Sequence, residues 1–219
     1  MNNKVLRIVH GLVHGLAHGL ALGLGLALLA SVSAHAAAMG DAKAGEAKTQ
    51  TCVACHGADG IGTAPENPNL AGQIPGYVAR QLAAFKSGER KNAIMQGMVA
   101  PLSEQDMADL DAYYSSKPAP AGAVPEDQAD AAERGARLYR GGDPSLEIAA
   151  CMGCHGPSGH GIPTRFPQVA GQKRTYLVNQ LQAFKSGERS SDGDIMNGIS
   201  FLLTQQQMED LAAFMHALQ

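Results

Sequence analysis

The sequence predicts an all-α protein made of two copies of one small helical domain. Three observations carry this reading. Motifs recur at an offset of about one hundred residues, no segment alternates over the length of a strand, and the composition leaves the interior short of large side chains. Of 219 residues 45% are hydrophobic, yet aromatic residues are only 5% and Trp is absent. A core of ordinary density holds more rings than this, so either Ala-rich helices pack closely or a non-peptide group fills the space. A balance of 17 Lys+Arg against 20 Asp+Glu excludes a basic nucleic-acid binder. Four cysteines in this length are too few for a disulfide-stapled scaffold.

The first segment is an address. Lys4 and Arg7 form a positive start, and residues 9–32 are rich in Leu, Ala and Gly without a charged side chain. Ala34 and Ala36 then supply the small side chains of an A-x-A cleavage site. Residues 1–36 therefore read as a signal peptide cleaved near Ala36, which directs the chain to the periplasm. The rival is an uncleaved anchor, because the apolar run approaches the roughly 20 residues that span a bilayer. His10, His14 and His18 have a spacing that suits a metal-binding helix face, but inside a leader they read as local duplication. Without the leader the balance becomes 15 basic and 20 acidic residues, net −5, and His56, His155, His160 and His216 remain.

The repeat organises the rest. Cys52-Val-Ala-Cys55-His56-Gly57 recurs as Cys151-Met-Gly-Cys154-His155-Gly156, offset 99, and so does Pro68-Asn-Leu-Ala-Gly-Gln73 as Pro167-Gln-Val-Ala-Gly-Gln172. Residues 77–90 match 176–189 at the same offset, and Met95 matches Met196 at offset 101. The first domain spans residues 40–117 and the second 129–219, joined by a proline-rich linker at 118–128 that should be extended and semi-stiff. An insertion at 141–149 reads as a surface loop.

Within each copy the elements follow in order. Residues 42–51 and 131–140 open the two copies as helices. Residues 77–86 and 176–185 form the middle helices, stopped near Gly88 and Gly187. The last helices begin at Ser103-Glu-Gln-Asp106 and Thr204-Gln-Gln-Gln207, both in the manner of capping boxes. Met107, Leu110 and Tyr114 then recur at helical spacing, as do Met208, Leu211, Met215 and Leu218.

C-x-x-C-H in an exported chain is the signature of covalent haem c attachment. Two intervening residues let both thiols reach the vinyl positions of one porphyrin, and the next His is delivered beneath the iron. Cys52, Cys55, Cys151 and Cys154 would thus hold two haems, with His56 and His155 as proximal ligands and no cysteine left for a disulfide. The rivals are a four-cysteine zinc site, which needs no His after each pair, and a thioredoxin-type pair, which needs a βαβ context that is missing.

The sixth iron position decides function: Met or His there suits an electron carrier, an open site suits oxygen or peroxide chemistry. His160 follows His155 too closely to reach the opposite face, and His216 reads as a surface residue. Among methionines, Met95 and Met196 correspond in the repeat and lie in Gly-containing segments before the last helices, 39 and 41 residues past their histidines. Met98 corresponds to Ile199 in the repeat, and Met107 and Met208 occupy apolar helix positions that suit packing. Met95 and Met196 are the expected distal ligands. Pro68 and Pro167 are candidates to accept the other ring N–H of each His. Tyr77 and Tyr176, with Gln81/Gln180, Lys86/Lys185 and Arg90/Arg189, are candidates for contact with haem propionates, against the plainer reading of a solvated helix face.

Two C-x-x-C-H domains with P-[NQ]-[LV]-A-G-Q and [IM]-M-x-G segments resemble the dihaem cytochrome c4 family. Leu138-Tyr-Arg-Gly-Gly142 before Cys151 is also similar to that family's second domain. The resemblance covers the chain from about Gly40 to Gln219. It implies two class I cytochrome c folds related by a pseudo-twofold axis, His/Met ligation of both haems, and propionate edges meeting near the domain interface. It further implies a periplasmic electron carrier, not an enzyme, held peripherally at the inner membrane. The implied donor is a quinol–cytochrome c oxidoreductase and the implied acceptor a terminal oxidase. The alternatives are the cytochrome subunit of a flavocytochrome sulfide dehydrogenase and, from another class, a dihaem peroxidase. Two macrocycles would also supply the missing core, and domains this small should not fold without them.

Overall fold

The computed structural model describes residues 39–218, which form ten α-helices; among them there is no strand, only two isolated bridges. The leader, its cleavage site and its three histidines lie outside the described residues. No described helix is long and apolar enough to cross a membrane. The first copy contains α1 (Ala42–Lys48), α2 (Val53–His56), α3 (Tyr77–Ser87), α4 (Ala93–Val99) and α5 (Glu104–Ser115). The second contains α6 (Ala129–Gly141), α7 (Met152–His155), α8 (Arg174–Ser186), α9 (Ile195–Leu202) and α10 (Gln205–Ala217).

Each copy closes where its first and last helices cross. A Cβ on Gly45 would lie 2.0 Å from the Asp109 carbonyl oxygen, and one on Gly135 would lie 2.0 Å from that of Asp210. Only glycine lets the two backbones approach so far. The carboxylates of those same aspartates then lock the crossing. Lys48 Nζ reaches Asp109 at 2.5 Å and Asp106 at 2.7 Å, while Arg134 grips Asp210 through Nε at 2.9 Å and Nη2 at 2.8 Å.

The helix ends follow the expected chemistry, with one asymmetry. Both last helices carry complete capping boxes, Ser103 with Asp106 and Thr204 with Gln207. The middle helices stop at Gly88 and Gly187, with φ of 83° and 78°, a conformation that costs other residues a steric penalty. The start of α3 has no side-chain cap of its own; Asp111, reaching over from α5, accepts from the N–H groups of Gly76 and Val78 at 2.7 and 2.8 Å. The second copy has Ala212 there, buried, and α8 begins ahead of Tyr176 at Arg174.

The insertion is less of a surface loop than expected. Asp143 and Ile148 exchange backbone hydrogen bonds of 2.9 Å each, closing it across a 3-10 turn, and Ile148 is buried in the core of the second copy. Gly141, residues 144–147 and Ala149 are exposed, so Ile148 is what anchors the insertion to the core. The linker likewise is no free spacer. A Cβ on Gly72 would meet Ala119, and one on Gly171 would meet the Pro120 carbonyl at 2.0 Å, so the proline-rich stretch lies against the Ala-Gly-Gln turns of both copies.

Those turns also join the two copies. Gln172 Oε1 accepts from Asn69 N–H at 2.9 Å and Gln172 Nε2 donates to Asn69 O at 2.9 Å. Reciprocally, Gln73 Oε1 accepts from Gln168 N–H at 2.7 Å and Gln73 Nε2 donates to Gln168 O at 3.2 Å. All four residues are buried. His216, expected at the surface, is half-buried and donates from Nδ1 to the Gln172 carbonyl at 2.9 Å.

Candidate haem-binding sites

Each C-x-x-C-H run folds into one helical turn. His56 N–H bonds the Cys52 carbonyl and His155 N–H that of Cys151, both at 2.9 Å, which places the two thiols and the imidazole of each motif around a single turn. Gly57 and Gly156 then break the turn with φ of 72° and 80°. Different tyrosines fasten the chain just beyond it. Tyr113 of α5 donates to Ala58 O at 3.1 Å, whereas Tyr139 of α6 donates to Gly156 O at 2.7 Å.

The proline segment folds back onto the turn through Leu70 and Ala71 N–H to Gly60 O, and Val169 and Ala170 N–H to Gly159 O. This brings the Pro68 carbonyl 3.0 Å from His56 Nδ1 and the Pro167 carbonyl 2.8 Å from His155 Nδ1. A carbonyl only accepts, so Nδ1 is the protonated nitrogen and Nε2 carries the lone pair. Burial pushes both imidazoles below their ordinary pKa, against the opposing effect of the proline carbonyl, and so keeps them neutral. Nε2 of each ring has no hydrogen-bond partner among the described residues. A neutral, oriented imidazole with a free Nε2 is what iron ligation needs.

The distal candidates sit on short helices where the sequence predicts only Gly-containing segments. Met95 lies on α4 and Met196 on α9, both half-buried. Asn92 Oδ1 accepts from Met95 N–H at 2.9 Å, while Ser191 Oγ accepts from Met196 N–H at 2.9 Å. Met98 is exposed, and Met107 and Met208 are core residues. Lys86 and Lys185 both donate to backbone carbonyls at or just beyond the far end of the methionine helices. Lys86 Nζ donates to the Leu102 carbonyl, and Lys185 Nζ to those of Phe201 and Leu203 at 3.0 and 2.5 Å, tying each middle helix to the chain leaving the methionine helix.

The remaining paired polar residues meet across the domain boundary. Arg90 donates to Gln81 at 2.7 Å in its own copy, and to Tyr176 at 2.9 Å and Gln180 at 2.8 Å in the other. Arg189 donates to Gln180 at 2.6 Å, and across to Tyr77 at 3.0 Å and Gln81 at 2.9 Å. Each guanidinium also lies over a phenylalanine of its own helix-turn unit, Phe85 and Phe184, at 4.5 Å. Neither arginine has an ion-pair partner among the described residues. Burial alone would raise the Tyr176 hydroxyl, but Arg90 and Arg189 outweigh it and hold the phenol below its ordinary value.

The residues present fit haem c. All four cysteines are free thiols, and among the described residues no group of three or more His, Cys, Asp or Glu is arranged to hold a bare metal ion, which disfavours a zinc cage. Arg189 is buried and Arg90 half-buried, and neither has a carboxylate partner among the described residues, a pairing that haem propionates would supply.

Comparison with known proteins agrees. The Cytochrome c family pattern matches residues 42–116 and 132–219. Cytochrome c4 of Pseudomonas aeruginosa is 42% identical over 188 residues, covering 84% of this chain and 91% of that protein. The chain belongs to the cytochrome c4 family. The crystal structure of reduced recombinant cytochrome c4 from Pseudomonas stutzeri superimposes with a TM-score of 0.78 at 38% identity, covering 82% of this chain and 100% of that one. The thiosulfate dehydrogenase electron acceptor of Thiomonas intermedia is 38% identical over 169 residues, covering 76% of this chain and 78% of that protein. As a cytochrome c4, the chain is a dihaem electron-transfer protein rather than an enzyme, with covalent haem c at Cys52/Cys55 and Cys151/Cys154.

The cross-domain pairing was not foreseen from sequence. The repeated glutamines, Gln73 and Gln172, carried the signal, but a glutamine's partner is invisible until two distant segments are brought together.

Proposed function

We propose that this cytochrome c4 works in the periplasm as a two-site electron carrier with His56/Met95 and His155/Met196 as axial ligand pairs. Bound haem c supplies one-electron chemistry at each iron. The protein's part is to hold both ligand sets rigid, so that little rearranges when charge changes. Pro68 and Pro167 orient the imidazoles, the Asn92 and Ser191 side chains hold the backbone at the methionines, and the Arg90/Arg189 cluster offsets the carboxylate charge of both macrocycles. The observation that carries the reading is the pair of buried, neutral histidines, each fixed by a carbonyl at Nδ1 and free at Nε2.

The donor on this reading is a quinol–cytochrome c oxidoreductase and the acceptor a terminal oxidase, with residues 1–36 removed on export and the carrier resting peripherally at the inner membrane. A second donor, a sulfur-compound dehydrogenase, is favoured by the similarity to a thiosulfate dehydrogenase electron acceptor. Redox titration with absorption spectroscopy of the holoprotein, Met95→Ala and Met196→Ala tests the ligand sets. Each variant should lose the methionine–iron band of one site only. Retention of both bands in both variants overturns the assignment.

A further inference from the structure

The hydrogen bonds that orient the two histidines do not end at the prolines. Pro68 C=O and Asn69 N–H belong to one planar, resonance-coupled peptide group. Its oxygen accepts from His56 Nδ1 at 3.0 Å, and its N–H donates to Gln172 Oε1, in the other domain, at 2.9 Å. The second copy repeats this in reverse. The Pro167–Gln168 peptide accepts from His155 Nδ1 at 2.8 Å and donates to Gln73 Oε1, in the first domain, at 2.7 Å. Each glutamine oxygen is held in place by a second donor, the N–H of the residue that follows it, Lys173 at 2.8 Å and Ile74 at 3.0 Å.

We propose that Gln172 tunes the first haem site and Gln73 the second, each acting on the other domain's histidine through a single peptide group. This rests on the reading of His56 and His155 as iron ligands. The histidine, the bridging residue and the glutamine are all buried in both chains of bonds, with exposures between 6% and 9%. At that depth hydrogen bonds in series polarise one another. A glutamine accepting from the peptide N–H draws electron density onto the proline oxygen, which then holds the imidazole N–H more strongly. A more strongly held N–H makes the ring more basic at Nε2, and a more basic ligand favours ferric over ferrous iron. Each glutamine therefore lowers the midpoint potential of the opposite site. The two glutamines are positioning residues, since they touch neither haem ligand directly.

The test is crosswise. Gln172→Met keeps the bulk and removes the acceptor, and Gln73→Met does the same for the other chain. Each site is followed in the holoprotein by its own haem resonances during a redox titration, and the imidazole N–H protons are observed by NMR in the reduced state. Gln172→Met should raise the first site's midpoint and move the His56 N–H resonance upfield, leaving the second site in place. Gln73→Met should do the converse to the second site and His155. Gln172→Asn, which withdraws the oxygen by one methylene but stays polar, should give the same direction and covers the case in which the methionine variant does not assemble. A shift of both sites together, as a loosened interface would produce, or of the variant's own domain, overturns the proposal. So do unmoved midpoints with unmoved N–H resonances. A wild-type spectrum without histidine-ligated haem would instead overturn the ligand reading itself.

Discussion

The Ser200 hydroxyl is buried without a hydrogen-bond partner among the described residues. It costs the fold the desolvation of a polar group and returns no bond. Ser200→Ala should therefore melt at or above the wild-type temperature, measured by calorimetry on the holoprotein. Ser103→Ala is the contrast, because Ser103 accepts from Asp106 N–H and caps α5; it should cost about 1 kcal/mol. At this scale much was open to reading in the sequence. Cysteines and histidines in a C-x-x-C-H run announce their chemistry through spacing alone, and Pro68 and Pro167 stood out by recurrence. The arginine–glutamine–tyrosine cluster was readable only as a list of paired polar positions, since its geometry depends on how two domains face each other.

Helix crossings set the next scale. Alanine at Gly45 or Gly135 would drive a methyl group into a backbone carbonyl of the facing helix, which a side-chain rotation cannot relieve. Either variant should lose about 1–3 kcal/mol or more, read as a lowered denaturant midpoint with spectra of the remaining folded fraction unchanged. The same crossing responds to acid. The amide of Asp41, then Lys48 and Gln105, hold the Asp109 carboxyl down at about 2 from an ordinary 3.8. A depressed carboxyl binds its proton more readily unfolded than folded, so its contribution is complete above about pH 4 and is lost as pH falls through about 2. Asp109→Asn should be less stable at neutral pH and lose less on acidification over that window, as thermal melts against pH would show. The long helices were readable from periodicity and their end signals. The methionine helices α4 and α9 were not, because seven or eight residues containing Gly97 or Gly198 give too short a pattern for a period to register.

The whole molecule coheres through the Asn69/Gln172 and Gln168/Gln73 exchange and the arginine cluster. Replacing Gln73 and Gln172 together with Ala leaves buried backbone N–H and C=O groups of Asn69 and Gln168 unpaired, at about 1–3 kcal/mol for each group. The wild-type holoprotein should unfold in one calorimetric transition and the double variant in two, one per domain. Chelation of iron is not the relevant removal here, because thioether attachment keeps the macrocycle in place. A Cys-to-Ala chain that never receives haem should fail to fold, which circular dichroism would report as loss of helix.

The interface also governs what each half of the chain is free to become. Contacts in which a segment pairs with its own duplicate are those of an isologous dimer, here with the two partners threaded onto one string. A tether as short as residues 118–128 holds them at an effective concentration of roughly millimolar, so the contact surface need not carry any affinity for a free partner. Relieved of that demand, the halves could part ways wherever the shared surface was not involved. Asp111 against Ala212, and Tyr113 against Tyr139 as the tether of the attachment turn, are where they have done so.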